Sequence, residues 1–517
     1  LKKISVTIEH LSIFKITKIF DTLLEEIMTS SRLKQVFGLL LLTFYIPFGW
    51  ASDRPNVVLM LSDNLGYGDL GAYGGGDVRG MPTPNIDALA SEGLMLTQFF
   101  VEPGCTPSRA GLMTGRYSVR SGLNSIIVAG TPLTLADEEF TIAELFKKHG
   151  YQTGMTGKWH LGQEEQSLPI NQGFDTYKVG ILETTDGTLY PESMRRSGIR
   201  DEGVISKSRP YIWESNGTGN LQKVREYDLE YRREVEGDIA DAARNYIKDH
   251  ANQDAPFFLY VGWSHVHYPE GASEEFRGLS SAGRYGDMLM EHDHRVGQVL
   301  SAIDDAGIRD NTIVVYLSDN GPVNRNGINH DYLGSSPGPF NGDIGDATEG
   351  SLRVPGMIRW PGEIPVRKSN EMVAIHDFLP TFAALLSDSL PDDRPIDGRN
   401  QLPFFKGETN KSAREDYIAF IDGEVSAVRW RNWRMYPKQM ITSAGNPSAG
   451  GIYGYRMEGM GYPAIFNIAR DPREQMNQIG TEAWVIAPYL KIVGKYVESL
   501  KEYPNPDTKF SLVKFPR

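Results

Sequence analysis

Cysteine is almost missing from this 517-residue chain: Cys105 is the only one. No internal disulfide can form, and a lone exposed thiol is a liability in an oxidising compartment. Taken without its neighbours, such a residue is ordinarily a small buried hydrophobe. Positive charge is also short. The formal net charge is −13, and residues 1–51 hold six Lys/Arg against four Asp/Glu, so the remainder is more acidic still. That balance excludes nucleic acid and anionic membranes as expected partners, and any anionic substrate must be drawn in by a local basic pocket. A membrane-length apolar run is missing near the N-terminus as well. The run from Val36 to Ile46 is shorter than the ~20 residues a spanning helix needs, so no stable membrane anchor is expected.

What stands there instead reads as a secretory signal. From Met28, Arg32 and Lys34 precede the apolar run, and Pro47, Gly49 and Ala51 follow it in a pattern suited to signal peptidase. The expectation is export to a periplasmic or extracellular location, with residues 1–51 outside the fold. A hydrophobic content of 40% with 23% charged residues is that of a soluble globular protein. The length exceeds what one growing core accommodates, so a large domain with a smaller companion is expected.

From Arg54 to about Leu385 strands and helices alternate, predicting an α/β domain over 52–415. Asn56 to Leu61, Pro256 to Gly262 and Thr312 to Leu317 are short β-branched or aromatic runs fit for strands buried on both faces. Pro84 to Ala90 reads as a helix, Thr141 to Glu144 as a capping box opening another that stops at Gly150, and Tyr285 to Ala306 as a long amphipathic one. From Asp416 the texture changes to a hairpin, Ala427 to Tyr436 with its turn at Arg431-Asn432, a short strand at Phe466 to Ile468 and a closing helix from Ala487 to Tyr503. This predicts a small α+β domain over 416–517.

Polar residues follow each buried strand: Asp63-Asn64, then His265 and His267, then Asp319-Asn320. Ligands of open α/β sheets bind beyond the carboxyl ends of the strands, so three runs deliver acids, amides and imidazoles to one edge. An Asp-Asn pair after one strand is ordinarily a turn or a cap; two such pairs weaken that reading.

Around the lone cysteine stands Cys105-Thr106-Pro107-Ser108-Arg109, continuing to Leu112, Thr114, Gly115 and Arg116; the proline after a turn sets Cys105 at a helix N-terminus suited to anions. A second block, Gly150-Tyr151-Gln152-Thr153 through Gly157-Lys158-Trp159-His160-Leu161-Gly162, puts Lys158 and His160 two residues apart, on one side of an extended strand. These two blocks resemble the signatures of the formylglycine-dependent sulfatases. Glu349-Gly350-Ser351-Leu352-Arg353-Val354-Pro355 and Asp471-Pro472-Arg473 extend the likeness through most of the chain.

The resemblance implies an alkaline-phosphatase-like α/β/α sandwich and hydrolysis of sulfate monoesters. It implies that a formylglycine-generating enzyme oxidises Cys105 during maturation, and that a sulfated small molecule or glycan is the substrate. Position by position it assigns one divalent ion, calcium by its oxygen ligands, to Asp63, Asn64, Asp319 and Asn320 with the Cys105-derived group. Arg109 would contact that group, and Lys158, His160 and His267 would surround the sulfate. One hydroxyl of the hydrated aldehyde would attack sulfur, His267 would protonate the leaving alcohol, and His160 would help the second hydroxyl expel sulfate. His265 receives no role.

Two positions depart from the family pattern. Asn64 stands where many members have a second aspartate, and Ile344 where many have a sulfate-contacting lysine. Arg325 is a nearby candidate replacement. These departures keep two alternatives open: a phosphonate monoester or phosphodiester hydrolase of the same superfamily, and a non-catalytic sulfated-glycan-binding relative. The basic and aromatic residues between Thr184 and Arg233 could line a sugar subsite, and Asn216-Gly217-Thr218 is a glycosylation sequon only in a eukaryotic source.

Overall fold

Seven consecutive residues, Asn56–Ser62, form the buried central strand β1, with alternate side chains feeding two different cores. The computed structural model describes residues 54–128, 131–215, 219–269, 271–323, 334–442 and 455–506. The signal segment, the Asn216 sequon and Arg325 lie outside the described residues.

The elements that frame the site, in chain order, are helix α1 (Pro84–Ser91), β2 (Leu94–Phe100), α2 (Cys105–Thr114), α3 (Ile142–Lys148), β3 (Gln152–Lys158), β4 (Thr176–Ile181), β5 (Tyr211–Ser215), β6 (Gln222–Glu226), α4 (Val235–His250), β7 (Phe257–Gly262), α5 (Gly283–Asp305), β8 (Thr312–Ser318), β9 (Arg353–Arg359), β10 (Arg367–Ala374) and α6 (Phe378–Leu385). The ten strands form one sheet in the order β10-β2-β9-β8-β1-β7-β3-β4-β5-β6. β1 pairs in parallel with both β7 and β8, so the three sequence-predicted strands lie side by side and point the same way. The sheet as a whole is mixed, because β9 runs antiparallel to β2 and β8, and β5 to β4 and β6.

Val58 and Met60 of β1 face a core shared with α1, α4 and α5, while Val57, Leu59 and Leu61 face one shared with α2, α3 and α6. Helices on both faces of a central sheet give the α/β/α sandwich. The capping box is formed as predicted, with the Glu144 amide donating to Thr141 Oγ1 and the Thr141 amide to Glu144 Oε2. Several predicted ends shift: the capping-box helix stops at Lys148 rather than reaching Gly150, and the long helix runs Gly283–Asp305 rather than starting at Tyr285.

A second, antiparallel sheet follows in the order β11 (Asp416–Ile421), β12 (Glu424–Trp430), β13 (Trp433–Thr442), β14 (Tyr455–Asn467). β12 and β13 make the predicted hairpin, and Arg431 turns it with a φ of 51°. The predicted strand Phe466–Ile468 is only the end of β14, and the closing helix α7 is Ile486–Ser499, stopping short of Tyr503. An aromatic cluster joins the two sheets: Phe100 of β2 stacks on Tyr417 of β11 with ring centroids 5.5 Å apart, and Tyr496 of α7 meets Phe420 at 5.0 Å.

Candidate active site

Beyond β1, β7 and β8 the chain is knitted by backbone bonds into one floor. The Asp63 amide donates to the His265 carbonyl (3.0 Å), the Val266 amide to the Asp63 carbonyl (2.8 Å), and the Asp319 amide to the Ser62 carbonyl (3.0 Å). Against this floor stands α2. Gly104 is its extended N-cap and Cys105 its first residue, and all ten residues of the helix are buried. Gly111 is required there, since a Cβ would come within 2.8 Å of the His376 ring.

Arg109 lies one turn beyond Cys105 and so shares its face. Its Nε and Nη2 donate to Asp319 Oδ2 at 3.1 and 2.9 Å, and its Nη1 to the Lys158 carbonyl and the Tyr260 hydroxyl at 2.8 and 3.2 Å. Lys158, the last residue of β3, donates from Nζ to Asp63 Oδ2 at 2.6 Å. Each carboxylate thus gives one oxygen to a cation. The Asp319 Oδ1 accepts the Asn64 amide at 3.1 Å, and Asn64 Oδ1 accepts Asn320 Nδ2 at 2.7 Å. Asp63 Oδ1 and Asn320 Oδ1 are buried with no hydrogen-bond partner.

The electrostatics separate the two acids. Burial pushes Asp63 up, but Lys158, His267 and Arg109 outweigh it and hold its carboxyl down at about 2. Asp319 is raised to about 6, first by burial and then by Asp63, against the pull of Arg109 and Lys158. Burial drives the Cys105 thiol up to about 12 despite Lys158, so at neutral pH it is a neutral thiol and a poor nucleophile.

The placement of His160 departs from the sequence expectation. His160 is not on the strand with Lys158: β3 ends at Lys158, and His160 sits at a φ of 61°. The expected alternation fails because the chain turns there. Its Nε2 donates to the Ile127 carbonyl at 2.7 Å, leaving Nδ1 buried without a partner, and burial followed by Lys158 lowers its pKa well below the ordinary value. His267 is buried, its Nδ1 donating to the Tyr268 carbonyl at 2.5 Å. His265 is packed between Glu236 and Glu291, 3.3 and 3.5 Å away, with Arg232 3.1 Å from Nδ1.

A family model described as Sulfatase matches residues 55–389. The chain belongs to the sulfatase family. It is 32% identical to the steryl-sulfatase of Rattus norvegicus over 81% of this chain and 84% of that one, and 34% identical to arylsulfatase A of Homo sapiens over 86% and 87%. The PsFucS1 sulfatase of Pseudoalteromonas sp. superposes with a TM-score of 0.81 and 30% identity, covering 88% of this chain and 92% of that structure.

In this sulfatase the side chains of Asp63, Cys105 and Asp319 bring potential ligand atoms within 4.8 Å of one another, a group able to hold a metal ion. The two unpartnered oxygens, Asp63 Oδ1 and Asn320 Oδ1, fit a hard cation, because unsatisfied buried oxygens are costly without one. The departure at Ile344 is accommodated by packing: its side chain is buried in the apolar cluster with Val323 and Phe340, and its amide donates to the Pro322 carbonyl.

Most bases between Thr184 and Arg233 are engaged within the chain. Arg195 and Arg209 pair with Glu202, and Arg196 with Glu192; Lys223 lies over the Tyr211 ring, and Arg225 over that of Tyr231. Arg232 is buried, and its Nη2 donates to the His267 carbonyl at 2.7 Å. Arg232 thus serves the His267 loop rather than the sugar subsite expected of it, and two contributors escaped the sequence reading, Tyr260 and Asp186. Tyr260 is one of six residues in a wholly buried strand, and only the pleat tells which ones reach Arg109.

Among the described residues, no helix is long and apolar enough to cross a membrane.

Proposed function

We propose that this sulfatase hydrolyses sulfate monoesters with a formylglycine made from Cys105 and a calcium ion held by Asp63, Asn64, Asp319 and Asn320. The observation that carries the reading is the meeting of Cys105, at the first position of a buried helix, with two carboxylates and two clamped cations. A thiol pushed up to about 12 is unsuited to direct attack, which supports its role as a precursor. In its hydrated form formylglycine supplies a hydroxyl able to take up a sulfuryl group and then release it, and calcium supplies positive charge beside the sulfuryl oxygens.

The chain's own groups do the rest. Arg109, one turn from Cys105 on the same helix, is fixed by Asp319, the Lys158 carbonyl and Tyr260. Lys158 brings a second cation to the developing sulfuryl charge. His160 holds its proton on Nε2 against the Ile127 carbonyl, so its Nδ1 is free to accept one. His267 delivers a proton to the departing alcohol. The substrate is a sulfated small molecule or glycan, reached after export and after maturation by a formylglycine-generating enzyme.

The test is hydrolysis of matched aryl sulfate and aryl phosphonate esters by protein co-expressed with that maturing enzyme. Calcium is present, residue 105 is checked by peptide mass, and Cys105→Ala serves as control. Sulfate turnover that vanishes in the control is the expected result. Dominant phosphonate turnover would reassign the substrate class through the missing lysine at Ile344, and an unmodified Cys105 with no turnover would leave a sulfated-glycan-binding protein.

A further inference from the structure

We infer that Asp186, together with Tyr268, is a positioning residue that aims His267 for proton delivery to the leaving oxygen, and that the site is thereby built for sulfate esters of aliphatic alcohols. The inference rests on the proposed sulfatase reading and concerns groups outside the candidate metal ligands. Asp186 lies in the turn of residues 185–189 beyond β4 and reaches across to the loop that follows β7. Its Oδ2 accepts the Tyr268 hydroxyl at 2.9 Å. Its Oδ1 is buried, has no hydrogen-bond partner and stands 3.5 Å from His267 Nδ1. The Tyr268 ring stacks on the imidazole with centroids 4.8 Å apart and planes at 26°. Arg232 fixes the same residue from behind through the His267 carbonyl.

The consequence is a defined tautomer. With the Tyr268 carbonyl at 2.5 Å and a carboxylate oxygen next to it, Nδ1 keeps its proton, and Nε2 is left to gain and lose the working one. Burial, and after it Lys158, lowers the His267 pKa, while Asp63, Asp186 and the Tyr268 carbonyl oppose them, so removing Asp186 disfavours the protonated ring. As the S–O bond to the alcohol breaks, its electron pair goes to the departing oxygen. That oxygen takes the Nε2 proton, and the ring becomes neutral with its Nδ1 proton still held. An activated phenolate departs without this help, whereas an aliphatic alkoxide does not. An acid gripped on its ring face, its Nδ1 and its carbonyl therefore serves substrates whose leaving group needs it.

The test compares Asp186→Asn with wild type, both matured and calcium-loaded, on 4-nitrophenyl sulfate and on the sulfate ester of an aliphatic alcohol. Folding is checked by thermal denaturation. The expected result is a fall in kcat of about tenfold or more on the aliphatic ester and less than about threefold on the nitrophenyl ester. Tyr268→Phe, which keeps the ring stack, should shift the same ratio by less, and Asp186→Glu should recover part of the loss. Equal losses on both esters, or no loss on either, would overturn the inference while leaving the sulfatase reading intact. Failure of the wild type on every sulfate ester would instead overturn the reading and the inference with it.

Discussion

Lys158 Nζ and Asp63 Oδ2 are 2.6 Å apart, and both side chains are wholly buried. Arg109 Nη2 is 3.9 Å from that carboxylate, and His267 also lends it positive charge. Lys158→Met therefore takes from a buried carboxylate the cation bonded most closely to it. Breaking such a pair from one side costs roughly 3–5 kcal/mol, and losing one cation at a developing anion costs about 100-fold or more in kcat. We expect a lowered melting temperature in metal-free protein together with that loss of sulfate turnover. Wild-type melting with activity within tenfold of the parent would contradict it.

Asn64 gives the candidate metal centre one formal charge fewer than a second aspartate would. Its Oδ1 already accepts from Asn320, and its Nδ2 is buried without a partner. Asn64→Asp keeps the first contact and turns the unpartnered donor into an anionic oxygen. Calcium affinity, measured by titration calorimetry in the Cys105→Ala background, should tighten roughly tenfold or more. An unchanged affinity would remove Asn64 from the ligand set.

Two glutamates at the joint between the sheets titrate in opposite directions. Burial raises Glu474 to about 7, while burial of Glu349 is outweighed by Arg429, Arg434 and Arg353, which hold it at about 2. The stability that Glu474 contributes is complete below its unfolded value of 4.5 and is lost as pH rises through about 7. That of Glu349 is complete above 4.5 and is lost as pH falls towards 2. Glu474→Gln should flatten the melting temperature between pH 4.5 and 7, removing a contribution on the order of 3 kcal/mol. Parallel pH profiles for the two proteins would refute this.

Arg414 precedes β11 and donates from Nε and Nη2 to Asp377 at the start of α6, with distances of 2.6 to 3.1 Å. It also donates to the carbonyls of Asp416 and Asp397. Arg414→Met should lower stability by roughly 3–5 kcal/mol, since it strands a buried carboxylate, and should leave KM unchanged. A variant that melts like wild type would show the pair to be dispensable.

Much of this was legible in the chain because short-range rules carry it. The apolar runs of β1, β7 and β8, the capping box at Thr141 and the hairpin turn at Arg431 each follow from a local pattern. Strands β2 and β9 were not read out. Their order in the sheet, antiparallel to each other and far apart in sequence, depends on pairing that no local period encodes.

For the site, the sequence by itself determined which groups exist and that three strand ends and one helix start would carry them. It fixed Cys105 in its motif, the two Asp-Asn pairs and the Lys158 block, because these sit directly after strands or at a helix N-terminus. Only the tertiary structure decided what each group faces. It turned His160 off its strand, gave Asp63 to Lys158 and Asp319 to Arg109, and walled His265 between two glutamates. It also brought Asp186, 81 positions before His267 in the chain, to that ring. The physical reason is that hydrogen-bond partners and local charge are properties of neighbours in space, and burial makes those neighbours decisive by removing the water that would otherwise screen them.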